Sequence, residues 1–208
     1  MSELDGVALG YEPAADEERR AGRLWIEAGG SHVVPAVGAA FKAALLAAVL
    51  DMRPPRKGAR VVVLGADIAT LPPGARARLR AQVGFLPASG GLISHLNGWE
   101  NIALPLGYHQ QVAPRGLASQ VYAMLEQFGA EARALLAKMP EDMTSYERKL
   151  AGYVRMRLGN PRLVLAEDPG GGLGAQERRR AAGFAAAYLA DYPEGTFVQL
   201  EDVPDESG

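Results

Sequence analysis

Cysteine is absent from all 208 residues, so this chain can form neither a disulfide framework nor a thiolate metal site. Histidine is nearly as scarce. His32, His95 and His109 stand far apart, with none at a helical spacing from another, which argues against a histidine metal centre. An excess of one charge is also missing: 22 basic residues face 24 acidic ones, so the electrostatic footprint of a nucleic-acid-binding protein is not there. No long hydrophobic run occurs either. The most apolar stretch, "AAFKAALLAAVL" at 39–50, is twelve residues long and carries Lys42, too short and too interrupted to span a bilayer. The opening "MSELDG" is acidic and has no apolar core of the signal-peptide kind. These absences lead us to expect a soluble, cytoplasmic protein that meets a membrane only through a partner. There is no internal repeat, and alanine enrichment is the one compositional bias.

What is present is an alternation of short β-rich runs and helical segments. "RLWIEA", "HVVPAV", "ARVVVLG", "QVGFLP", "RLVLA" and "TFVQLE" read as strands. Pro35 and Pro87 cannot donate to a ladder, so each is expected at a strand end. "GAAFKAALLAAVLDM" is apolar nearly all round and is expected to be a buried helix. "LPPGARARLRA" reads as a polar segment between two strands. Residues 97–158 hold almost no β signal. Within them "GWENIALPL" places Trp99, Ile102, Ala103 and Leu106 on one helical face. "LASQVYAMLEQFG" ends at Gly129, suited to a helix C-terminus. "TSYERKLAGYVRMRL" opens with Thr144 and has Glu147 three residues on, a capping box. "AQERRRAAGFAAAYLA" reads as one helix before the last strand, its "ERRR" a solvated face with local ion pairs. The expected architecture is a single α/β domain over 1–208, with a sheet-containing core at 1–96 and 159–208 and a helical insertion at 97–158.

One stretch raises a chemical question. "RLVLAEDPGGGLG", at 162–174, is an apolar run that delivers Glu167 and Asp168 to a glycine-rich turn. A buried strand ending in carboxylates at a loop is how phosphate-cleaving enzymes hold magnesium. With "VGFLPASGGLISHLNGWENIALPL" at 83–106 and "ERKLAGYVRMRLGNPRLVLAEDP" at 147–169, the order of segments resembles the ATP-binding cassette subunits of membrane transporters. The likeness is nearest to the ATPases of lipid transporters that carry MCE-type substrate-binding proteins, and it covers nearly the whole chain. It implies a P-loop-NTPase-like fold with a helical subdomain.

The motifs that would handle nucleotide depart from that family one after another. A P-loop needs G-x-x-x-x-G-K-[ST], so that backbone N–H groups, a lysine and a hydroxyl meet phosphate and Mg²⁺. The matching stretch here is "PAVGAAFKAA". Aligned on Lys42, Phe41 replaces the glycine and Ala43 the hydroxyl; shifted by one, Phe41 replaces the lysine itself. The Q-loop glutamine falls on Ala88. The signature motif corresponds to "MTSYE" at 143–147, with both glycines lost, to Ser145 and Tyr146. The Walker B aspartate corresponds to Glu167 and the catalytic glutamate to Asp168, an exchange of acids. A reacting group misplaced by about 1 Å costs on the order of a hundredfold in rate. The D-loop aspartate is Gly174, and the switch histidine falls near Glu201.

The resemblance with these losses implies a pseudo-ATPase: a degenerate nucleotide-binding subunit with a structural or regulatory role beside a membrane permease, in transport of the lipid class. No cofactor is expected, and ATP with Mg²⁺ enters only under the alternative of a weakly active ATPase. A second alternative is an interaction protein no longer tied to transport. Glu167 and Asp168 are read as remnants of a catalytic pair, and Tyr11, Gly38 and Lys42 as remnants of a nucleotide site. Lys42 itself reads as a solvated or snorkelling lysine. The expected partners are the permease, at the inner face of the membrane, and a second cassette subunit, identical or not; nucleic acid is excluded. Permease docking is assigned to Gly90, Leu92, Ile93, Leu96 and Trp99. The glycine admits close backbone approach and the others supply apolar area. The bland alternative is that these side chains pack the helical insert.

Overall fold

The structure is a computed structural model that describes residues 4, 6–14, 23–52, 58–108 and 116–202; His109 lies outside them. The chain divides into two compact units, Met1–Val83 with Pro161–Leu165 and Leu189–Gly208, and Gly84–Asn160 with Ala166–Tyr188.

In the first unit, β1 (Val7–Glu12), β2 (Leu24–Glu27), β4 (Arg60–Val63) and β5 (Ala66–Asp67) form an antiparallel sheet in the order β2-β1-β4-β5. Strands β4 and β5 are joined by Leu64 and Gly65, with φ of 47° and 78°. Two consecutive positive φ values are the signature of a type I′ hairpin turn. The β1 strand left no clear alternation in the sequence because Ala8, Leu9, Gly10 and Tyr11 are all buried, on both faces.

A second sheet has the order β3-β8-β7-β6, built from β3 (Gly30–Val37), β8 (Thr196–Asp202), β7 (Leu163–Glu167) and β6 (Val83–Leu86); β6 and β7 each run from the first unit into the second. Strand β3 pairs with β8 in parallel, His32 opposite Val198 and Val34 opposite Leu200. Pro35 is not at a strand end as expected. It sits inside β3, which is an edge strand, where the register shifts between Val34 and Val37. An edge and an irregularity are the two places where a sheet tolerates the missing N–H. Pro87 does follow β6 directly.

Helix α1 (Ala39–Leu50) is also less buried than its composition suggests. Leu45, Ala48 and Val49 are buried, while Ala43, Ala44 and Ala47 are exposed, because alanine methyls do not demand a core. Its C-terminus has no basic residue of its own. Helix α2 (Pro73–Arg80) supplies them: Arg80 Nε donates to Leu50 O at 2.6 Å, and Arg76 Nη1 to Met52 O at 3.5 Å. This helix was read as a polar connection. Its start signal is Pro73 in the first turn, where the missing N–H costs nothing.

The second unit holds α3 (Gly98–Tyr108), α4 (Leu117–Gln127), α5 (Ala132–Ala137), α6 (Ser145–Leu158), α7 (Ala175–Ala181) and most of α8 (Gly183–Asp191). The expected single helix at 175–190 is thus two. The capping box at Thr144 is present: Thr144 Oγ1 accepts from Glu147 N at 3.1 Å, and Glu147 Oε2 accepts from Thr144 N at 2.8 Å. Gly129, φ 73°, turns the chain out of α4. The core is aromatic, with Tyr153 and Phe184 stacked at 4.2 Å and Phe128 meeting both edge-on. Among the described residues no helix is long and apolar enough to cross a membrane.

Candidate functional site

In the first unit the junction of β3 and α1 is where a phosphate cradle would form. Gly38 alone connects the two elements, with φ −63° and ψ 140°. None of residues 38–43 has a positive φ. A phosphate nest needs a run of N–H groups turned toward one point by alternating backbone conformations. A one-residue joint does not provide it. Phe41 turns inward and meets Tyr11 edge-to-face, ring centroids 5.2 Å apart at 89°. Tyr11, read as a remnant of a nucleotide site, is 5% exposed, so its aromatic face lies within the fold. Lys42, read as a solvated or snorkelling lysine, is ion-paired: its Nζ donates to Asp202 Oδ1, with the lysine side chain 12% exposed and the aspartate 48%. Asp202 ends β8, and the ladder sets it opposite Val37. The sequence pointed to its neighbour, Glu201, and missed it, because the pair spans 160 residues.

In the second unit β7 carries Glu167 and Asp168 to its end as expected, both half-buried. Glu167 Oε2 accepts from the Ala88 N–H at 3.3 Å, so the residue in the glutamine's place uses its backbone, not a side chain, on that carboxylate. Asp168 has φ 38°, unusual for a residue with a Cβ. Its carbonyl accepts from Lys149 Nζ at 2.7 Å and from Gly171 N at 3.1 Å. Its carboxylate lies over Gly171, where a methyl group would stand 1.6 Å from Oδ2. Lys149 is 4% exposed and was missed by the sequence reading. The available signal is its place with Tyr146, Leu150 and Tyr153, spaced i, i+3, i+4 and i+7 on the buried face of α6.

The signature stretch is closed on itself. Tyr146 is buried, and its hydroxyl donates to Phe128 O at 2.8 Å. Burial pushes its pKa up to about 12, the nearby Arg180 guanidinium opposing the rise. Gly174 caps α7, its N–H donating to Glu177 Oε2 at 3.4 Å.

The segment assigned to docking is held by its own unit. Gly90 is buried with φ 83°, and a methyl group there would lie 2.2 Å from Arg148 O on α6. Gly152 on α6 is the reciprocal: its methyl would meet Gly90 O at 2.2 Å. The close approach expected of a partner at Gly90 is therefore made by α6. Asn101, fully buried, fixes the rest: Oδ1 accepts from Ile93 N at 2.7 Å, and Nδ2 lies 2.7 Å from Leu96 O and 3.1 Å from Ile93 O and Asn97 O. Leu92, Ile93, Leu96 and Trp99 are half-buried, and Ser94 and His95 exposed.

Among the described residues no group of three or more His, Asp or Glu is placed to hold a metal ion. A magnesium nucleotide is the ligand a P-loop fold implies, and these residues do not fit it. The cradle is one residue long, its lysine is paired, and its hydroxyl position is Ala43.

No protein-family model matches the chain. Solved structures do resemble it. CbiO1 from Clostridium perfringens, described as part of the ABC transporter complex CbiONQ, superposes with a TM-score of 0.72 at 14% identity, covering 95% of this chain and 79% of that one. The dimeric bacterial ABC transporter cassette MJ0796 gives 0.72 at 15% identity over 94% of this chain and 88% of its own. Its post-hydrolysis state with ADP and Pi gives 0.69 at 15% over 95% and 85%. The chain therefore has the fold of an ATP-binding cassette. At identities of 14% and 15% that likeness extends to the fold and not to the activity, which depends on the residues at the site.

Proposed function

We propose that this chain is a cassette subunit that does not hydrolyse nucleotide and serves as a structural or regulatory partner of a membrane permease, in transport of the lipid class. The observation that carries the proposal is that the cassette's nucleotide positions are taken by the chain's own groups. Asp202 holds Lys42, the Ala88 N–H is on Glu167, Lys149 holds the Asp168 carbonyl, and Tyr146 fills the signature turn. The segment at 89–99 supplies the docking surface through Leu92, Ile93, Leu96 and Trp99. Its place on the cytoplasmic side of the membrane follows from the permease. That one structural neighbour is part of a transporter complex and another is dimeric supports the permease and a second cassette, identical or not, as partners.

Calorimetric titration with Mg-ATP is the test. We expect no heat of binding, no shift of melting temperature at millimolar Mg-ATP, and hydrolysis equal to buffer. Stabilisation by about 2 kcal/mol, a Kd roughly thirtyfold below the ligand concentration, refutes the proposal. So does hydrolysis that is lost in Glu167→Gln and Asp168→Asn, which establishes the weakly active ATPase instead. In a co-purification with the permease, Ile93→Asp abolishes association and leaves the fold intact. Association that survives the substitution removes the docking assignment and favours an interaction protein outside transport.

A further inference from the structure

We infer that Arg155 supplies the charge of the docking segment: its guanidinium, seated against the turn at 87–91, receives a carboxylate brought by the permease. The inference rests on the proposed docking at 89–99 and names the partner's chemistry there.

Arg155 lies in the last turn of α6 and is half-buried. Its Nη2 donates to Gly90 O at 3.3 Å. A methyl group on Gly91 would stand 3.2 Å from that nitrogen and 2.8 Å from Pro87 Cγ, so the guanidinium rests on the turn itself. A guanidinium has five N–H donors in a planar fork. One long bond to a neutral carbonyl uses one of them, and among the described residues no carboxylate faces Arg155. Burial pushes its pKa down with no acid opposing the fall, whereas at Arg80, also half-buried, the charge of Asp51 opposes it. The sequence offers no acid nearby either. Residues 83–96 hold no Asp or Glu, and Ala151, Gly152, Leu158 and Gly159, one turn away on either side, are uncharged. Arg148 on the same helix is spent within its own unit, with Nη1 on Met143 O at 2.5 Å and Nη2 on Ser145 Oγ at 3.2 Å. A partly desolvated cation without a counter-ion carries a cost that nothing in this chain offsets. A carboxylate offsets it with two parallel charge-assisted bonds to the fork. Leu92, Ile93, Leu96 and Trp99 are half-buried in the stretch that follows the turn. A partner covering that apolar area would exclude water from the pair and strengthen it.

The test is the dissociation constant of the full chain with the detergent-solubilised permease, for wild type, Arg155→Gln and Arg155→Glu. Arg155→Gln is expected to weaken binding about thirtyfold or more, and Arg155→Glu to abolish it. Each Asp and Glu in the cytoplasmic segments of the permease is then replaced by Arg in turn. One such permease variant is expected to lose wild type and to regain Arg155→Glu, a rescue that a merely structural arginine cannot give. Equal binding by wild type and both variants overturns the inference. So does the lack of any rescuing position when circular dichroism shows Arg155→Glu folded. If Arg155→Glu does not fold, Arg155→Gln carries the test: one permease substitution is expected to weaken wild type and leave Arg155→Gln unchanged, and the absence of such a position overturns the inference. If neither variant folds, Arg155 is a structural residue and the inference falls. Binding to phosphatidylglycerol vesicles that is lost in Arg155→Glu overturns it in favour of a lipid headgroup, and a dimer of the chain alone that is lost in Arg155→Glu overturns it in favour of a second copy. Wild type that binds no permease refutes the proposed function, whereas wild type that binds whatever stands at position 155 refutes this inference alone, so the two failures are told apart.

Discussion

Replacing Gly152 with alanine adds one methyl group to the middle of α6. In an ordinary helix interior that change stabilises by about 0.5–1 kcal/mol, because alanine has less backbone entropy to lose. Here the new methyl would stand 2.2 Å from Gly90 O and 3.0 Å from Gly90 Cα. Those are backbone atoms, and no rotamer change moves them. Gly90 has no room to retreat by changing shape either, because it sits at φ 83° with Arg155 Nη2 on its carbonyl at 3.3 Å. Overpacking of this kind costs about 1–3 kcal/mol, which outweighs the propensity gain and leaves a net loss of about 1–2 kcal/mol. For a chain of this size the melting temperature should fall by about 2–8 °C. Gly74→Ala is the matched control: it lies in α2, and its nearest neighbour is Arg78 Nη1, the tip of a long side chain, at 3.9 Å. The same chemical change there should be neutral or mildly stabilising. Thermal and urea denaturation followed by circular dichroism measure both. A Gly152→Ala protein as stable as wild type, or more so, would show that α6 and the 88–93 segment do not cross as closely as described. Because that crossing holds the segment proposed for docking, the proposed function predicts that Gly152→Ala also weakens co-purification with a permease, and that Gly74→Ala does not.

Asn101→Ala strips the side-chain partner from Ile93 N and Leu96 O, while Ile93 O and Asn97 O keep the N–H groups of Leu96 and Asn101. With about 1–3 kcal/mol for each of the two groups left unsatisfied, urea denaturation should show a loss of about 2 kcal/mol or more; a loss under about 1 kcal/mol contradicts the assigned network. Tyr146→Phe leaves Phe128 O without its donor and should cost about 1 kcal/mol. The folded-state pKa of Tyr146 is raised from 10.0 to about 12, so its neutral form is favoured by folding. That contribution is complete below pH 10 and lost as pH rises from 10 to about 12, and Tyr146→Phe should remove this share of the alkaline unfolding. For Glu147, burial raises the pKa, but hydrogen bonds from Lys138 and from Thr144 outweigh it and hold the carboxyl below 4.5. Its stabilisation is therefore present above pH 4.5 and lost as pH falls through the lowered value, and an acid titration of Glu147→Gln should lack this step.

The sequence by itself determined the elements whose signals are local. The capping box of Thr144 and Glu147, the turn at Gly129, the apolar face of α3 and the β7 strand with its two acids each depend on residues within a few positions of one another. Local bonding fixes those whatever the rest of the chain does. The residue types at Phe41, Ala43, Ala88 and Tyr146, on which the proposed lack of nucleotide chemistry rests, were legible too, since a side chain's identity needs no geometry to be noticed. Where the sequence went astray, the deciding partner was distant or the residue type ambiguous. Alanine in α1 read as core but sits on either side of the surface. Pro35 read as a strand end, yet the open edge of β3 accommodates it within the strand. Lys42 read as a solvated or snorkelling lysine, and its pairing with Asp202 across 160 residues was not visible. Gly90 read as an opening for a partner, and α6 fills it, Gly152 providing the clearance. A glycine or a lysine states only what it permits, and the element packed against it decides the use. That choice belongs to tertiary structure because it is settled by contacts whose sequence separation no local pattern encodes.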